Sequence, residues 1–233
     1  MNKLLNLTKE LESLSNKKKA IVLQGFFKTG PGEYGEGDVF LGIVVPVQRQ
    51  VAKKYLDLRY SDLKQLLNSK THEYRLVAVL ILVTNYKTSD GKIQKQIFNF
   101  YLKNLKYINN WDLVDLSAPN IIGNYLLNQS RDILYKLVRS KNIWQRRIAI
   151  VSTYSFIRNN EFTDTFKIAK ILLTDNHDLI HKAVGWMLRE AGKRDQKSLE
   201  KFLQQHSGQM PRTMLRYAIE RFQEDKRKSY LKK

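Results

Sequence analysis

Trp111 and Asp115 have the residue types and the spacing best suited to chemistry in this sequence. They are four positions apart in the segment NNWDLVDL, so a helix would place both side chains on one face. The carboxylate can stabilise positive charge that develops in a transition state. The structural alternative is an ion pair between Asp115 and an arginine of a neighbouring repeat, such as Arg147. Both interpretations require the segment to be helical.

A second candidate site is a stripe of cations around a tryptophan. Lys182, Trp186, Arg189 and Lys193 fall at i, i+4, i+7 and i+11, so they share one helical face, and apolar residues occupy the opposite face. Trp186 then either covers the aliphatic stems of its cationic neighbours or stacks against a nucleotide. Both interpretations place this tryptophan outside the ordinary core.

Adjacent arginines occur in the segment NIWQRRIAIV. Successive helical residues diverge by about 100°, so only one of Arg146 and Arg147 can point into a groove, and the other contacts phosphate or solvent. Trp144 shares helical spacing with Ile148 and Val151, which predicts that it belongs to the core.

These segments recur at a nearly constant interval. Arg75, Trp111, Arg146 and Lys182 are separated by 36, 35 and 36 residues, a period typical of stacked helical hairpins. Because equivalent positions of stacked repeats face the same way, we expect all four on one concave, basic face. The sequence therefore predicts an all-α fold, an α-solenoid of HEAT-like helical hairpin repeats.

Apolar residues at helical spacing extend almost throughout the chain, which contains only four prolines. We expect one domain over 1–224 and a basic C-terminal tail over 225–233 that frays. The Gly-rich segment 29–43 is either a long connector or a loop that contacts phosphate or a DNA lesion. The predicted helices cover 2–16, 18–27, 46–57, 60–68, 72–87, 90–104, 111–127, 130–140, 143–158, 162–174, 178–192, 195–204 and 210–223.

The charge of the chain indicates a polyanionic partner. Of 233 residues, 41 are Lys or Arg and 22 are Asp or Glu, which gives a formal net charge of +19. Such a surplus favours nucleic acid, with an anionic membrane surface as the competing partner. The densest apolar run, Leu76 to Thr84, is about half of what spans a bilayer, and the N-terminus lacks the features of a secretory signal. We expect a cytosolic monomer.

Several polar residues have structural explanations. Asn109 or Asn110 can cap a helix, and Asp112 in its first turn interacts favourably with the helix dipole. The absence of cysteine excludes disulfides and thiolate metal sites. We expect no metal or cofactor, and we expect the histidines to lie on the surface, although the i, i+4 pair could bind a metal with a third ligand. The histidines are His72, His177, His181 and His206.

The repeats, together with NNWDLVDLSAPNIIGNYLL, KNIWQRRIAI and IHKAVGWMLREAGK, resemble the AlkD-type bacterial DNA alkylation repair proteins, which are alkylpurine DNA glycosylases. The resemblance runs from FLGI at residue 40 to the C-terminus. It implies that the family's cleft aromatics correspond to Trp111 and Trp186, its catalytic carboxylate to Asp115, and its DNA-backbone arginines to Arg147 and Arg189. We expect further DNA contacts from other cations, namely Lys182, Arg146, Arg49 and Lys193.

The activity implied by this resemblance is hydrolysis of the N-glycosidic bond of cationic N3- or N7-alkylpurines in bacterial duplex DNA, by a monofunctional glycosylase. The family is known for leaving the lesion stacked, whereas most glycosylases flip the base. The chain departs from the family at two places: Phe26 replaces a cleft tyrosine, and only Arg49 keeps the charge of a tandem-Arg stretch. A non-catalytic DNA-structure-binding repeat protein is the rival interpretation, and a scaffold for an acidic protein is the third.

Overall fold

The computed structural model describes residues 2–232, and within them the chain is all-helical, with 71% of residues in helices and no strand. This confirms the all-α class and is consistent with an α-solenoid of helical repeats. The chain divides into two compact units, the first ending at Ser117 and the second beginning at Ala118. A single domain over 1–224 and a concave basic face remain predictions.

The first unit is built around α5, whose residues from Leu76 to Val83 are all buried. This helix packs against α3, α4, α6 and α7. Side chains of Asn2, Asn16 and Asp90 cap α1, α2 and α6 by accepting backbone hydrogen bonds. The helices of this unit are α1 (Lys3–Ser13), α2 (Lys17–Phe26), α3 (Val45–Lys53), α4 (Tyr60–Leu67), α5 (His72–Thr88), α6 (Gly91–Lys103) and α7 (Trp111–Ser117).

The second unit is built around α12, which packs against α9, α11, α13 and α14. Its predicted apolar face is confirmed, since Ala183, Val184, Met187, Leu188 and Ala191 are all fully buried. The helices are α8 (Asp132–Leu137), α9 (Ile143–Ser152), α10 (Tyr154–Arg158), α11 (Thr163–Ile171), α12 (Asp178–Gly192), α13 (Gln196–His206), α14 (Arg212–Ala218) and α15 (Glu224–Leu231).

The described part of the C-terminal tail contains a helix, α15, that contacts its own unit, while fraying of the tail over 225–233 stays a prediction. The ammonium group of Lys226 forms an ion pair with Glu200. Arg212 Nη2 donates to the Leu231 carbonyl at 2.6 Å. These contacts connect α15 to α13 and α14, which its strongly charged composition did not predict.

The expectation of one helix over 111–127 is also wrong. The α-helix ends at Ser117 and is followed by a π-helical turn, Pro119–Gly123, and a 3-10 turn, Leu126–Asn128. Pro119 has no N–H to donate, and the Gly123 N–H reaches back five residues to the Ala118 carbonyl at 2.8 Å. The backbone hydrogen bonds therefore change from the i to i−4 pattern of α7 to the i to i−5 pattern of a π-helix immediately after it.

The end of the Gly-rich segment is packed into the first unit by Glu73. This buried carboxylate accepts hydrogen bonds from the backbone N–H groups of Leu41, Gly42 and Ile43, at 2.9, 2.8 and 3.2 Å. Gly42 has φ +83°, and a Cβ there would lie 2.2 Å from the Asn16 carbonyl oxygen, so only glycine fits. A phosphate contact by this segment stays a prediction.

Candidate active site

Trp111 begins α7 and is held by aromatic rings of the first unit. Its indole stacks on Phe27 with ring centroids 5.2 Å apart and planes 10° apart. The edge of Phe26 meets the same indole at 6.0 Å. The Asn110 side-chain oxygen accepts the Trp111 N–H at 2.8 Å, which confirms Asn110 as a residue that satisfies the helix start. Phe26 therefore lies beside Trp111, and a lesion cleft that contains both residues stays a prediction.

Asp115 lies one turn beyond Trp111 on α7, as the spacing predicted, and its side chain is half-buried. The neighbouring α7 residues Leu113, Val114 and Ser117 are buried. Tyr101 is also fully buried, and its hydroxyl hydrogen-bonds to Ser117 at 2.8 Å. Burial, reinforced by the negative charge of Asp115, raises the pKa of Tyr101. The face of α7 that packs on Tyr101 through Ser117 is thus apolar and neutral, and Asp115 lies near this buried phenol.

A buried charged network supports the start of α7. His72 Nε2 lies 2.8 Å from Asp112 Oδ2, and its Nδ1 lies 3.5 Å from Asp38 Oδ2. Asp38 also accepts hydrogen bonds from Arg75 Nη2 at 2.6 Å and from Asn110 Nδ2 at 3.3 Å. The network therefore joins α5, the Gly-rich segment and the residues that position Trp111.

The expectation that His72 lies on the surface is wrong, because its side chain is only 2% exposed. Burial alone disfavours the imidazolium, but the carboxylates of Asp112 and Asp38 outweigh it, so the pKa of His72 is raised. Burial likewise opposes ionisation of Asp38, and His72 and Arg75 outweigh it, so the pKa of Asp38 is lowered. Asp112 thus has a defined partner beyond the helix dipole.

Arg75 does not lie on an open basic face, which corrects the expectation from the repeat phase. Its side chain is 3% exposed, and its Nη1 donates to the carbonyls of Ser69 and Lys70 at 2.9 and 3.2 Å. With the Asp38 contact, this makes an arginine clamp that ties the loop before α5 to the Gly-rich segment.

Arg146, two repeat periods further along, forms the same arginine clamp in the second unit. Its Nη1 donates to the carbonyls of Ser140 and Lys141 at 3.0 and 2.9 Å. Its Nε and Nη2 donate to Asp175 at 2.6 and 3.3 Å. At both arginines the repeat position therefore holds the loop that precedes the helix. The role of Arg146 in DNA binding stays a prediction.

The cationic stripe of α12 is half-exposed and paired with carboxylates. Lys182 bonds to Asp178 at 2.7 Å, and Lys193 bonds to Glu190 at 2.7 Å. Arg189 lies 3.4 Å from Glu190 and forms a closer ion pair with Glu220. Trp186 is half-buried, and its ring lies 5.9 Å from Tyr154. The stripe is present as predicted, but its cations have acidic partners.

The remaining predicted residues differ in exposure. Arg49 is exposed on α3. This helix begins two residues after Ile43, whose N–H donates to Glu73. Arg147 is 5% exposed and donates to the Leu179 carbonyl. Trp144 is 6% exposed, which confirms it as a core residue. The clamps were not predicted, although Ser-Lys with Arg five positions after the Lys occurs at both of them.

Two classes of site are not found among residues 2–232. No group of three or more His, Cys, Asp or Glu side chains is placed to hold a metal ion. No helix within this range is long and apolar enough to cross a membrane.

Comparison with known proteins agrees with an all-helical DNA repair protein. The family model described as DNA alkylation repair enzyme matches residues 7–222. A structure titled predicted DNA alkylation repair enzyme from Enterococcus faecalis is similar at a TM-score of 0.71 and 18% identity, covering 90% of this chain and 97% of that one. The crystal structure of smu.31 from Streptococcus mutans UA159 is similar at a TM-score of 0.52 and 19% identity, covering 76% and 92%. No curated protein matches the chain.

The family match spans most of the chain, so the chain belongs to the DNA alkylation repair enzyme family. Membership implies an enzyme of DNA repair with DNA as its substrate. The two solved structures, at these identities, support the fold.

Proposed function

We propose that the protein is a monofunctional DNA glycosylase that hydrolyses the N-glycosidic bond of cationic N3- or N7-alkylpurines in duplex DNA. The observation that carries this proposal is α7, where the Asp115 carboxylate lies one turn from Trp111 and the ring of Phe26 borders the same indole. A carboxylate beside aromatic faces suits a sugar that gains positive charge.

The chemistry follows from the charge of the lesion. Alkylation gives the purine a positive charge, so it leaves as a neutral base when the bond from C1′ to nitrogen breaks. The sugar becomes oxocarbenium-like, and Asp115 stabilises that charge and orients a water. The water oxygen bonds to C1′ and releases a proton, which leaves an abasic site.

The aromatic and cationic residues have separate roles in this proposal. Trp111 and Trp186 contact the lesion nucleotide through their ring faces, which allows the base to remain stacked in the duplex. Phe26 contacts the edge of the lesion nucleotide that lies next to Trp111. The proposed contacts to the DNA backbone are Arg147, Arg189, Lys182, Arg146, Arg49 and Lys193.

The direct test is incubation with duplex DNA that contains N7-methylguanine, with abasic sites measured after alkaline cleavage. We expect excision well above the spontaneous rate. Asp115→Asn should lower the excision rate about 10²- to 10³-fold while affinity for the duplex changes little. Asp132→Asn, an exposed acid at the start of α8, is the matched control and should retain full activity.

Three outcomes would reject or replace the proposal. No excision by the wild type above background would reject it. Equal losses of excision and binding in Asp115→Asn would favour a non-catalytic protein that recognises DNA structure. An acidic protein partner that duplex DNA fails to displace at physiological salt would favour a scaffold.

A further inference from the structure

Helix α2 leaves large apolar side chains uncovered on the surface of the first unit. None of its residues is buried. Ile21 and Val22 are each 70% exposed, and Phe26 is 61% exposed. We name these three residues the α2 ridge. Single exposed apolar residues are ordinary, but three on one ten-residue helix indicate a surface that is covered during function.

The first turn of α2 carries three consecutive lysines. Lys17, Lys18 and Lys19 are all exposed, and this turn contains no acidic residue. Cations at a helix N-terminus are opposed by the helix dipole, so this arrangement is unfavourable for the isolated protein. Among residues 2–232, no ion pair involves these lysines. An anionic partner would offset both the dipole and the mutual repulsion.

The α2 ridge and the lysines are continuous with the candidate active site. Phe26 is the last residue of α2, and its ring edge contacts the Trp111 indole. At about 1.5 Å per residue, the lysines lie about 10–14 Å along the helix from Phe26. That distance corresponds to about three to four base pairs of duplex DNA, at about 3.4 Å per base pair.

We propose that α2 lies along duplex DNA beside the lesion, with Lys17, Lys18 and Lys19 on phosphates and the α2 ridge against deoxyribose and base edges in a groove. The location beside the lesion rests on the proposed function. The exposed Gly25, which has no atom within 4 Å of an added Cβ, leaves room for a sugar-phosphate backbone to approach the helix.

Duplex DNA fits this surface better than a lipid bilayer does. A helix that lies in a membrane interface buries a broad apolar face, whereas α2 offers three apolar side chains next to three ammonium groups. DNA also covers Trp111 and α2 together, since the contact through Phe26 makes them one surface. The charge pattern of α2, cationic at one end and apolar towards the indole, matches phosphates at one end and the sugar of the stacked lesion nucleotide at the other.

The lysines are tested by binding to undamaged duplex DNA, so the result does not depend on excision. The triple variant Lys17→Gln, Lys18→Gln, Lys19→Gln should lower the slope of log affinity against log salt by about 2 to 3. The matched control removes three exposed lysines of α6, Lys92, Lys95 and Lys103, by the same change. A slope change as large in the control, or none in the α2 variant, would overturn the proposal.

The α2 ridge is tested by Ile21→Ser with Val22→Ser. Because both side chains are exposed, the fold should be retained, as unfolding in urea will check. We expect about tenfold weaker DNA binding with an unchanged salt slope. Val44→Ser with Val45→Ser, at 44% and 38% exposed positions, is the control and should bind normally. Unchanged binding of the α2 variant would contradict the apolar contact.

A third measurement separates DNA from membrane. Vesicles of phosphatidylserine and phosphatidylcholine should not retain the wild-type protein at physiological salt. Retention that both α2 variants abolish, with their DNA binding intact, would assign α2 to a membrane and reject the proposal. If the wild type fails to excise lesions but the α2 variants lose DNA binding, the proposed glycosylase function fails and the α2 contact stands.

Discussion

The two arginine clamps donate from Nη1 to equivalent Ser and Lys carbonyls, but they differ in burial and in their carboxylate contacts, since Arg146 donates from Nε and Nη2 and Arg75 from Nη2 alone. Arg75 is 3% exposed and bonds to a carboxylate shared with His72 and Asn110. Arg146 is 19% exposed, and its carboxylate, Asp175, lies at the corner before α12. The same repeat position thus belongs to a buried network of charged side chains in the first unit, and to a half-buried ion pair between two loops in the second.

This difference shows how a repeat position acquires a new role. The first clamp extends through Asp38 and Asn110 to the backbone of Trp111, so it supports the residues proposed to contact the lesion. The second fixes the loops before α9 and α12. The carboxylates of the two clamps are equally buried, at 7% and 6% exposed, but Arg75 is more buried than Arg146. Removing Arg75 therefore leaves a buried cavity as well as a carboxylate without its arginine, which makes the first clamp more costly to disrupt.

The largest expected effect is on the stability of α5 and α9. Arg75→Ala should lower the free energy of opening α5 by about 3–5 kcal/mol, because removing this 3% exposed side chain leaves a buried cavity and takes the guanidinium from Asp38. Arg146→Ala should lower that of α9 by about 1–3 kcal/mol. Amide hydrogen exchange in the two helices measures both. Equal losses, or a larger loss at Arg146, would contradict the burial argument.

The pH dependence of stability should have opposite signs at the two histidines near these clamps. The pKa of His72 is raised, so its contribution is fully present below about pH 6.5 and is lost as pH rises through the folded-state pKa. Burial lowers the pKa of His177, so its contribution is present above about pH 6.5 and is lost as pH falls.

Urea unfolding across this pH range compares the wild type with His72→Gln and His177→Gln. The first variant should remove part of the decline on the alkaline side, and the second should remove part of the decline on the acidic side. The slope with pH is the informative quantity, since each variant also loses hydrogen bonds. Slopes of the same sign for both histidines would contradict the assigned shifts.

The smallest expected effect concerns a cation that already has acidic partners. Arg189→Gln should weaken DNA binding only severalfold and lower the salt slope by at most about 0.9, because its ion pairs with Glu220 and Glu190 must open before it contacts phosphate. Lys226→Gln, a cation of α15 paired with Glu200, is the control. An unchanged slope in Arg189→Gln would reject its phosphate contact.

Local periodicity predicted the elements that depend on near neighbours. The apolar face of α12 and the core position of Trp144 are confirmed because residues three and four apart share a helical face. The shared face of Trp111 and Asp115 follows from the same rule. The continuous helix over 111–127 failed because the hydrogen bond of Gly123 to Ala118 shifts the register, which apolar spacing does not encode.

The sequence by itself determined the all-α class, the family and the spacing of Trp111 and Asp115, because these depend on residue types and local intervals. Tertiary structure decided which cations are available to a ligand. Arg75 finds Asp38 at 37 positions away, and Arg189 finds Glu220 at 31. Such partners meet only when helices pack. The net charge of the sequence therefore could not distinguish Arg75, which is buried, from Lys17, Lys18 and Lys19, which are exposed.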